Sequence, residues 1–389
     1  MKRKKYTLVL IMAICVLLNA CSRTEQARLP TSDTDIIEAT DIGLEQWKQW
    51  WDKNKVELPE SNLLQFTNDK EGIYNYCPSI MKLNDEALYI YYCTNFNSYD
   101  VTDYIGCRKG VQNGDGRIAW GEEKIVLFPS AGTWDARHTC DPSVIAGDFK
   151  YQNKRYGYMM AYLGCTSSDN QNNKIGIAVS ESPEGPFIKI ENDPLVDFEM
   201  DSEYSGFQWG VGQPCLINAD KQGRVWIFYT RGDRNGTRLV MDEWELTDLD
   251  APQRLSTEEV SGKGLVKLNG SSDYMNNADL LYDAENKRFY ASSDCHPNPS
   301  DEPNFISSHF RVTYFVQKDS FSDVVWKNHT VISPQMTNFA RNHNTGLLRD
   351  EYGHMADNGY LTVFYTMSIT GDNSLWSYRI YNYNLRIPT

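Results

Sequence analysis

Four short stretches hold the residues best suited to chemistry. The first, residues 134–143 (WDARHTCDPS), gathers Trp134, Asp135, Arg137, His138 and Asp141. A carboxylate and an imidazole this close can work as a general acid and base, with His138 as the base. The second stretch, residues 201–213, carries Asp201, Glu203, Tyr204, Trp209 and Gln213. A loop carboxylate beside an indole is desolvated and its pKa rises, so Glu203 is the expected proton donor. In the third, Asn277 and Asp279 are two apart, which puts them on one face of a strand. The fourth holds Arg341, His343 and Asn344. Amides and carboxylates together supply the donors and acceptors that a hydroxyl-rich ligand needs, and Trp134, Tyr204 and Trp209 offer flat platforms for sugar rings. The expected catalytic residues are therefore Asp141, Glu203 and His138. Asp135, Trp134, Arg137, Trp209, Gln213, Asn277, Asp279, Arg341 and His343 are expected to bind substrate.

Something must bring stretches so far apart together, and an internal repeat does so. Five segments align, opening at Cys77, Asp141, Gln213, Asn277 and Asn344, at spacings of 64, 72, 64 and 67 residues. Each runs from a polar residue through a small residue and an apolar pair to a polar turn. An aromatic-rich strand ending in Thr, Cys or Ser follows, and then a third strand, such as IGIAVSES or FRVTYFV. Outer strands are expected at KIVLF, FIKIEND and HTVIS, with a vaguer one near residues 264–268. A unit of three or four strands cannot bury its own core, and radial repetition solves that problem. The fold class is therefore all-β, a five-bladed propeller over residues 56–389. The chain stops one strand short of a complete fifth unit, so a strand near residues 56–66 is expected to close the ring. In such a ring the first strand of each unit lines the axis and its opening residue faces the pocket. Strand alternation places Ser143 with Asp141 and Asp279 with Asn277.

The second repeat, WDARHTCDPSVIAGDF followed by NKIGIAVSESPEGPFIKI, resembles the five-bladed glycoside hydrolases of family 43 and their relatives in families 32, 62, 117 and 130. The likeness extends from about residue 63 to the C-terminus. It implies two carboxyl groups flanking a glycosidic bond, one protonating the leaving oxygen and one activating water, with a third acid adjusting their pKa values. Carried onto this chain, the second-blade acid is Asp141, the orienting and pKa-tuning position. The first-blade and third-blade acids do not carry over, because Cys77 and Gln213 stand there. A thiol is a poor general base at such a site, and an amide cannot donate a catalytic proton. His343 resembles the axial histidine that helps hold a central ion, so the likeness allows a structural calcium at the axis; no other cofactor is expected. The implied activity is an inverting glycoside hydrolase on a poly- or oligosaccharide. A non-catalytic glycan-binding protein is the alternative, and less so a lyase using His138, His343 and Arg341.

The first 20 residues read as a targeting segment. Lys2, Arg3, Lys4 and Lys5 precede an apolar run that ends in LLNAC. The run is shorter than the ~20 residues of a spanning helix. LLNAC resembles a bacterial lipobox, which would make Cys21 the lipidated first residue of a protein anchored in the bacterial cell envelope. Residues 21–55 are expected to be a tether, with a short amphipathic helix over residues 41–54 (Leu44, Trp47, Trp50, Trp51). Removing residues 1–20 takes away four basic residues and no acid, so a net charge of −14 becomes −18. That surface repels nucleic acid and disfavours a strongly anionic polysaccharide. The expected partners are thus a saccharide substrate, the membrane through the lipid anchor alone, and no second copy of the chain. Of nine cysteines seven remain after Cys15 and Cys21 are set aside, with no zinc-type spacing and no required disulfide.

Overall fold

A computed structural model describes residues 58–387, except residues 69, 85, 86, 114, 115, 191–193 and 358. The targeting segment, Cys21 and the helix expected over residues 41–54 lie outside the described residues.

The five repeats are five antiparallel blades. Blade one contains β1 (Asn75–Asn84), β2 (Ala87–Asn95), β3 (Asp103–Gln112), β4 (Ile118–Trp120) and β5 (Lys124–Leu127). Blade two contains β6 (His138–Tyr151), β7 (Lys154–Cys165), β8 (Lys174–Ser180) and β9 (Ile188–Lys189). In blade three the strands are β10 (Gly210–Asn218), β11 (Arg224–Asp233), β12 (Gly236–Glu245) and β13 (Gln253–Glu259). Blade four is β14 (Asp279–Asp283), β15 (Arg288–Cys295), β16 (His309–Val316) and β17 (Lys327–Ile332). The fifth holds β18 (Arg341–Asp350), β19 (Tyr360–Ser368) and β20 (Arg379–Arg386).

The ring closes twice where blade five meets blade one. At the centre β1 and β18 pair in parallel, with Ile80 opposite Leu348 and Met81 opposite Arg349. At the rim the segment before blade one runs antiparallel to β20. Its backbone bonds there are Asn62 N to Asn382 O (2.7 Å) and Gln65 N to Ile380 O (2.9 Å). The N-terminal segment thus supplies the outer edge that the fifth repeat lacks.

Strand alternation explains the packing. On each inner strand successive side chains turn toward opposite neighbouring blades. Ile80 packs with Leu348 and Phe364 of blade five, and the next residue, Met81, with Val144 and Met160 of blade two. Leu216 joins Ile145 and Phe149 of blade two, whereas Ile217 joins Leu280 and Phe289 of blade four. Blades four and five meet through Leu281, Val312, Leu347 and Val363. Every blade–blade interface therefore has its own apolar core.

One outer strand differs from expectation. Blade three ends in β13 (Gln253–Glu259), not near residues 264–268, where Val266 makes only an isolated bridge to Ser272. The reason is exposure: β13 (QRLSTEE) is an edge strand largely in solvent, so no apolar alternation marks it.

Candidate active site

The site is built by one backbone device used five times. Each repeat-opening residue has a left-handed backbone, with φ of 49° at Cys77, 48° at Asp141, 51° at Gln213, 47° at Asn277 and 45° at Asn344. In four blades the ladder register shifts there, between Tyr76 and Ser79, Cys140 and Ser143, Gly212 and Cys215, and His343 and Gly346. These are β-bulges, which re-aim a side chain at the expense of ladder hydrogen bonds. Proline follows in blades one to three (Pro78, Pro142, Pro214), where a bulge has no use for the missing N–H. At Gly346 the bulge of blade five comes so close to blade one that a Cβ would sit 1.9 Å from Pro78 O. Left-handed backbone at non-glycine residues costs about 1 kcal/mol or more each. The fold accepts that cost five times to aim five polar side chains at one axis.

The openers interlock. Asn277 N donates to Gln213 Oε1 (2.9 Å), which also accepts from Thr230 Oγ1 (2.7 Å). Asn344 Nδ2 reaches Cys77 Sγ (2.8 Å) and Asn277 Oδ1 (3.2 Å). Asp294, at the end of β15, accepts from Asn277 Nδ2 (2.6 Å) and from Asn344 N (3.1 Å). Asp141 accepts from the Cys77 thiol and from the Gln213 backbone.

Above this ring opens a cavity of about 690 Å³ with walls from all five blades. Asp141, Gln213, Asn277 and Asn344 lie on its floor, and Cys77 borders a smaller void of about 40 Å³ beneath. Burial pushes the Asp141 carboxyl up to about 6, with Asp103 adding to the rise and the bonds from Cys77 and Gln213 opposing it. Asp294 is also pushed up to about 6 by burial, against the opposing bond from Asn277. Burial thus raises both carboxyl groups at the floor toward neutrality.

In the wall, His138 Nδ1 lies 2.7 Å from Asp103 Oδ2, and Asp103 Oδ1 accepts from Tyr74 Oη at 2.7 Å. The backbone N–H of Asp103 also approaches the same nitrogen (3.3 Å), so Asp103 fixes the imidazole through Nδ1. His343 is buried beside Tyr378 and bonds Asn344 through Nδ1; burial lowers it to about 4, so it is neutral. Asp233 lines the rim, where Arg238 and Arg231 hold its carboxyl far below the usual range. Trp209, Phe207 and Phe305 supply the apolar lining; Phe207 and Phe305 are 59% and 71% exposed.

The structure thus gathers Asp141, His138, Trp209, Gln213, Asn277 and His343 around one cavity. The other expected residues lie elsewhere. Glu203 is exposed on a loop that Gln208 ties to itself through Asp201 and Tyr204, and it does not line the cavity. Its neighbour Phe207 turns inward instead. Asp135 is buried in an ion pair with Lys189 and accepts from Tyr162 Oη (3.0 Å), while Trp134 stacks on Tyr162. Arg137 donates to Val101 O. Arg341 grips Asp301 O (2.9 Å) and Pro303 O (3.3 Å), so it braces the loop that carries Phe305. Asp279 sits below the floor, where Oδ2 accepts from Leu347 N (2.7 Å) and Oδ1 meets Arg349 (3.2 Å). Asp103, Asp294 and Thr230 were not foreseen. Thr230 and Asp294 lie toward the ends of the second strands β11 and β15, and Asp103 opens the third strand β3.

The axial residues also answer whether a calcium ion fits at the level of Asp279. Calcium takes a shell of oxygen ligands. At that level the Asp279 carboxylate already neutralises the guanidinium of Arg349, which occupies the centre and touches Ser79, Ser143, Cys215 and Leu280 O. The residues at that level do not fit a calcium ion. The disulfide between Cys93 on β2 and Cys140 on β6 was not foreseen either; it joins blade one to blade two next to Asp141.

No protein-family model matches the chain, and no curated protein matches it. Solved structures do. A family 117 glycoside hydrolase of the marine bacterium Zobellia galactanivorans aligns at 12% identity and a TM-score of 0.53, over 84% of this chain and 88% of that one. The alpha-L-arabinofuranosidase of Podospora anserina, solved with cellotriose, aligns at 11% identity and 0.53, over 84% and 94%. A GH43_1 enzyme of Xanthomonas citri aligns at 14% identity and 0.50, over 85% and 91%. The chain shares the five-bladed propeller fold of these glycoside hydrolases.

Proposed function

We propose that this chain is a glycoside hydrolase whose active site is the five-blade cavity. One observation carries the reading: Asp141 is aimed into that cavity by a bulge, with a carboxyl group pushed up to about 6. A group of that pKa can both hold and release a proton near neutrality, as glycosidic cleavage requires. His138, oriented by Asp103, is the partner base that activates water, and Asp294 is the second carboxyl poised to share the proton traffic.

The substrate class follows from the lining. Asp103, Asp141, Asp169, Asp233 and Asp294 face the cavity, and no lysine or arginine is among its described lining residues. Such a surface favours neutral saccharides over uronates, which need a cation beside the carboxylate. The same feature argues against lyase chemistry. Neighbours solved with cellotriose and xylotriose fit a neutral oligosaccharide. The test is a product screen on neutral and acidic oligosaccharides, arabinosides, xylosides and galactosides included. Release of reducing ends from a neutral substrate supports hydrolysis; an unsaturated, ultraviolet-absorbing product would overturn it in favour of a lyase.

Cys77 and Gln213 favour a second reading, a glycan-binding protein without catalysis, because neither residue can do the work of the acid it replaces in the family pattern. Saturable oligosaccharide binding without reducing ends would select it. We also propose a lipid anchor at Cys21 in the bacterial cell envelope. Cys21→Ser should move the exported protein from the membrane to the soluble fraction, because the lipid provides the membrane affinity; retention in the membrane would refute the anchor.

A further inference from the structure

At and beneath the floor of the cavity, three sulfurs that hydrolysis does not use gather around Asp141. Cys77 is a free thiol, and its sulfur, both sulfurs of the Cys93–Cys140 disulfide and an Asp141 carboxylate oxygen all lie within 4.8 Å of one another. The thiol hydrogen-bonds to Asp141, and Asn344 Nδ2 donates to Cys77 Sγ at 2.8 Å. Asp141 Oδ1 is 3.3 Å from Cys140 Sγ and 3.8 Å from Cys93 Sγ. The Tyr76 hydroxyl lies 3.1 Å from Cys140 Sγ.

We propose that Cys77, Cys93 and Cys140 form a thiol–disulfide exchange site, with Asp141 as the proton carrier. Cys77 gives its proton to the Asp141 carboxylate, and its sulfur attacks Cys93 Sγ. The Cys77–Cys93 bond forms as the Cys93–Cys140 bond breaks. Cys140 departs as a thiolate, beside the Asp141 oxygen and the Tyr76 hydroxyl, and takes the proton back from Asp141. Nothing is oxidised or reduced overall, so no outside reagent is needed. Asn344 stabilises the attacking sulfur as charge builds on it. Burial and the nearby Asp141 keep the resting thiol protonated, so the described pairing persists until the proton moves.

The two pairings differ in what they hold together. Cys93–Cys140 ties β2 of blade one to β6 of blade two, directly before Asp141. Cys77–Cys93 lies wholly within blade one, so exchange removes the covalent tie between blade one and the strand that carries Asp141. The site thereby sets how rigidly that carboxyl is held, whatever the cavity binds.

Peptide mapping tests this on the full chain. The protein is incubated between pH 6 and 9, quenched in acid with N-ethylmaleimide, digested with pepsin and analysed by mass spectrometry. The wild type should yield a Cys77–Cys93 peptide beside Cys93–Cys140, rising with pH, and Cys77→Ser should lose it. Cys140→Ser, shown to be folded by circular dichroism and treated with oxidised glutathione, should form the Cys77–Cys93 bond. A wild type holding only Cys93–Cys140 across that range overturns the proposal. So does a folded Cys140→Ser in which Cys77 and Cys93 stay unlinked to each other.

Discussion

Arg349 and Asp279 meet at the propeller axis, guanidinium Nη1 to carboxylate Oδ1 at 3.2 Å, on inner strands of blades five and four. The same guanidinium reaches Ser79 of blade one (3.1 Å), Ser143 of blade two (3.2 Å) and Cys215 of blade three (3.1 Å). A single side chain thus contacts inner strands of all the other blades. Coulomb attraction and acceptors for both terminal nitrogens offset the desolvation of a charge held this deeply.

Removing one partner should therefore be costly. Arg349→Met leaves Asp279 buried and unpaired, and should lower unfolding free energy by about 3–5 kcal/mol in urea titration. Arg349→Met with Asp279→Leu should regain part of that loss, because no orphan charge remains. A single variant as stable as the wild type would show that the ring does not depend on its axial ion pair.

Asp294 gives a pH-dependent test. Its folded pKa, raised from 3.8 to about 6, means that the folded state binds the extra proton between those values. Stability contributed by this group is present below pH 4 and is lost as pH rises through about 6. Asp294→Asn should therefore gain stability relative to the wild type between pH 4 and pH 7, on the order of 2–3 kcal/mol. Thermal or urea unfolding at the two pH values reads it directly, and a pH-independent difference would refute the raised pKa.

Much of this was open to a reader of the sequence, for a definite reason. The five openers were legible because the same left-handed turn places a polar residue before a small one at every blade, and that pattern repeats. Asp141, Gln213, Asn277 and Asn344 accordingly line the cavity. Two residues found away from the cavity share a cause. Glu203 and Asp135 lie in connections whose course no periodicity fixes; one faces solvent and the other bonds Lys189. Asp103 and Asp294 sit where a second or third strand passes an opener, so finding them requires the pairing between strands as well as the repeat. The disulfide needed the same information, since it joins two blades.

Phe305 separates binding from stability. It is 71% exposed at the cavity mouth, on a loop braced by Arg341, so truncation should cost little folding energy. As a sugar platform it should nonetheless contribute measurably to affinity. Phe305→Ala should weaken oligosaccharide binding about fivefold or more, ~1 kcal/mol, with unfolding unchanged within ~0.5 kcal/mol. Unaltered binding by calorimetry would place the sugar elsewhere.

In the proposed function Asp141 performs proton chemistry on a glycosidic bond. Asp141→Asn keeps the size of the side chain and removes the titrating group. Its kcat on the neutral oligosaccharide identified by product screening, followed by reducing-end release, measures that loss. The predicted result is a fall of at least about a hundredfold, with circular dichroism and unfolding showing an intact propeller and the KM nearly unchanged. A folded Asp141→Asn protein that releases reducing ends at the wild-type rate would show that Asp141 takes no part in the proton chemistry.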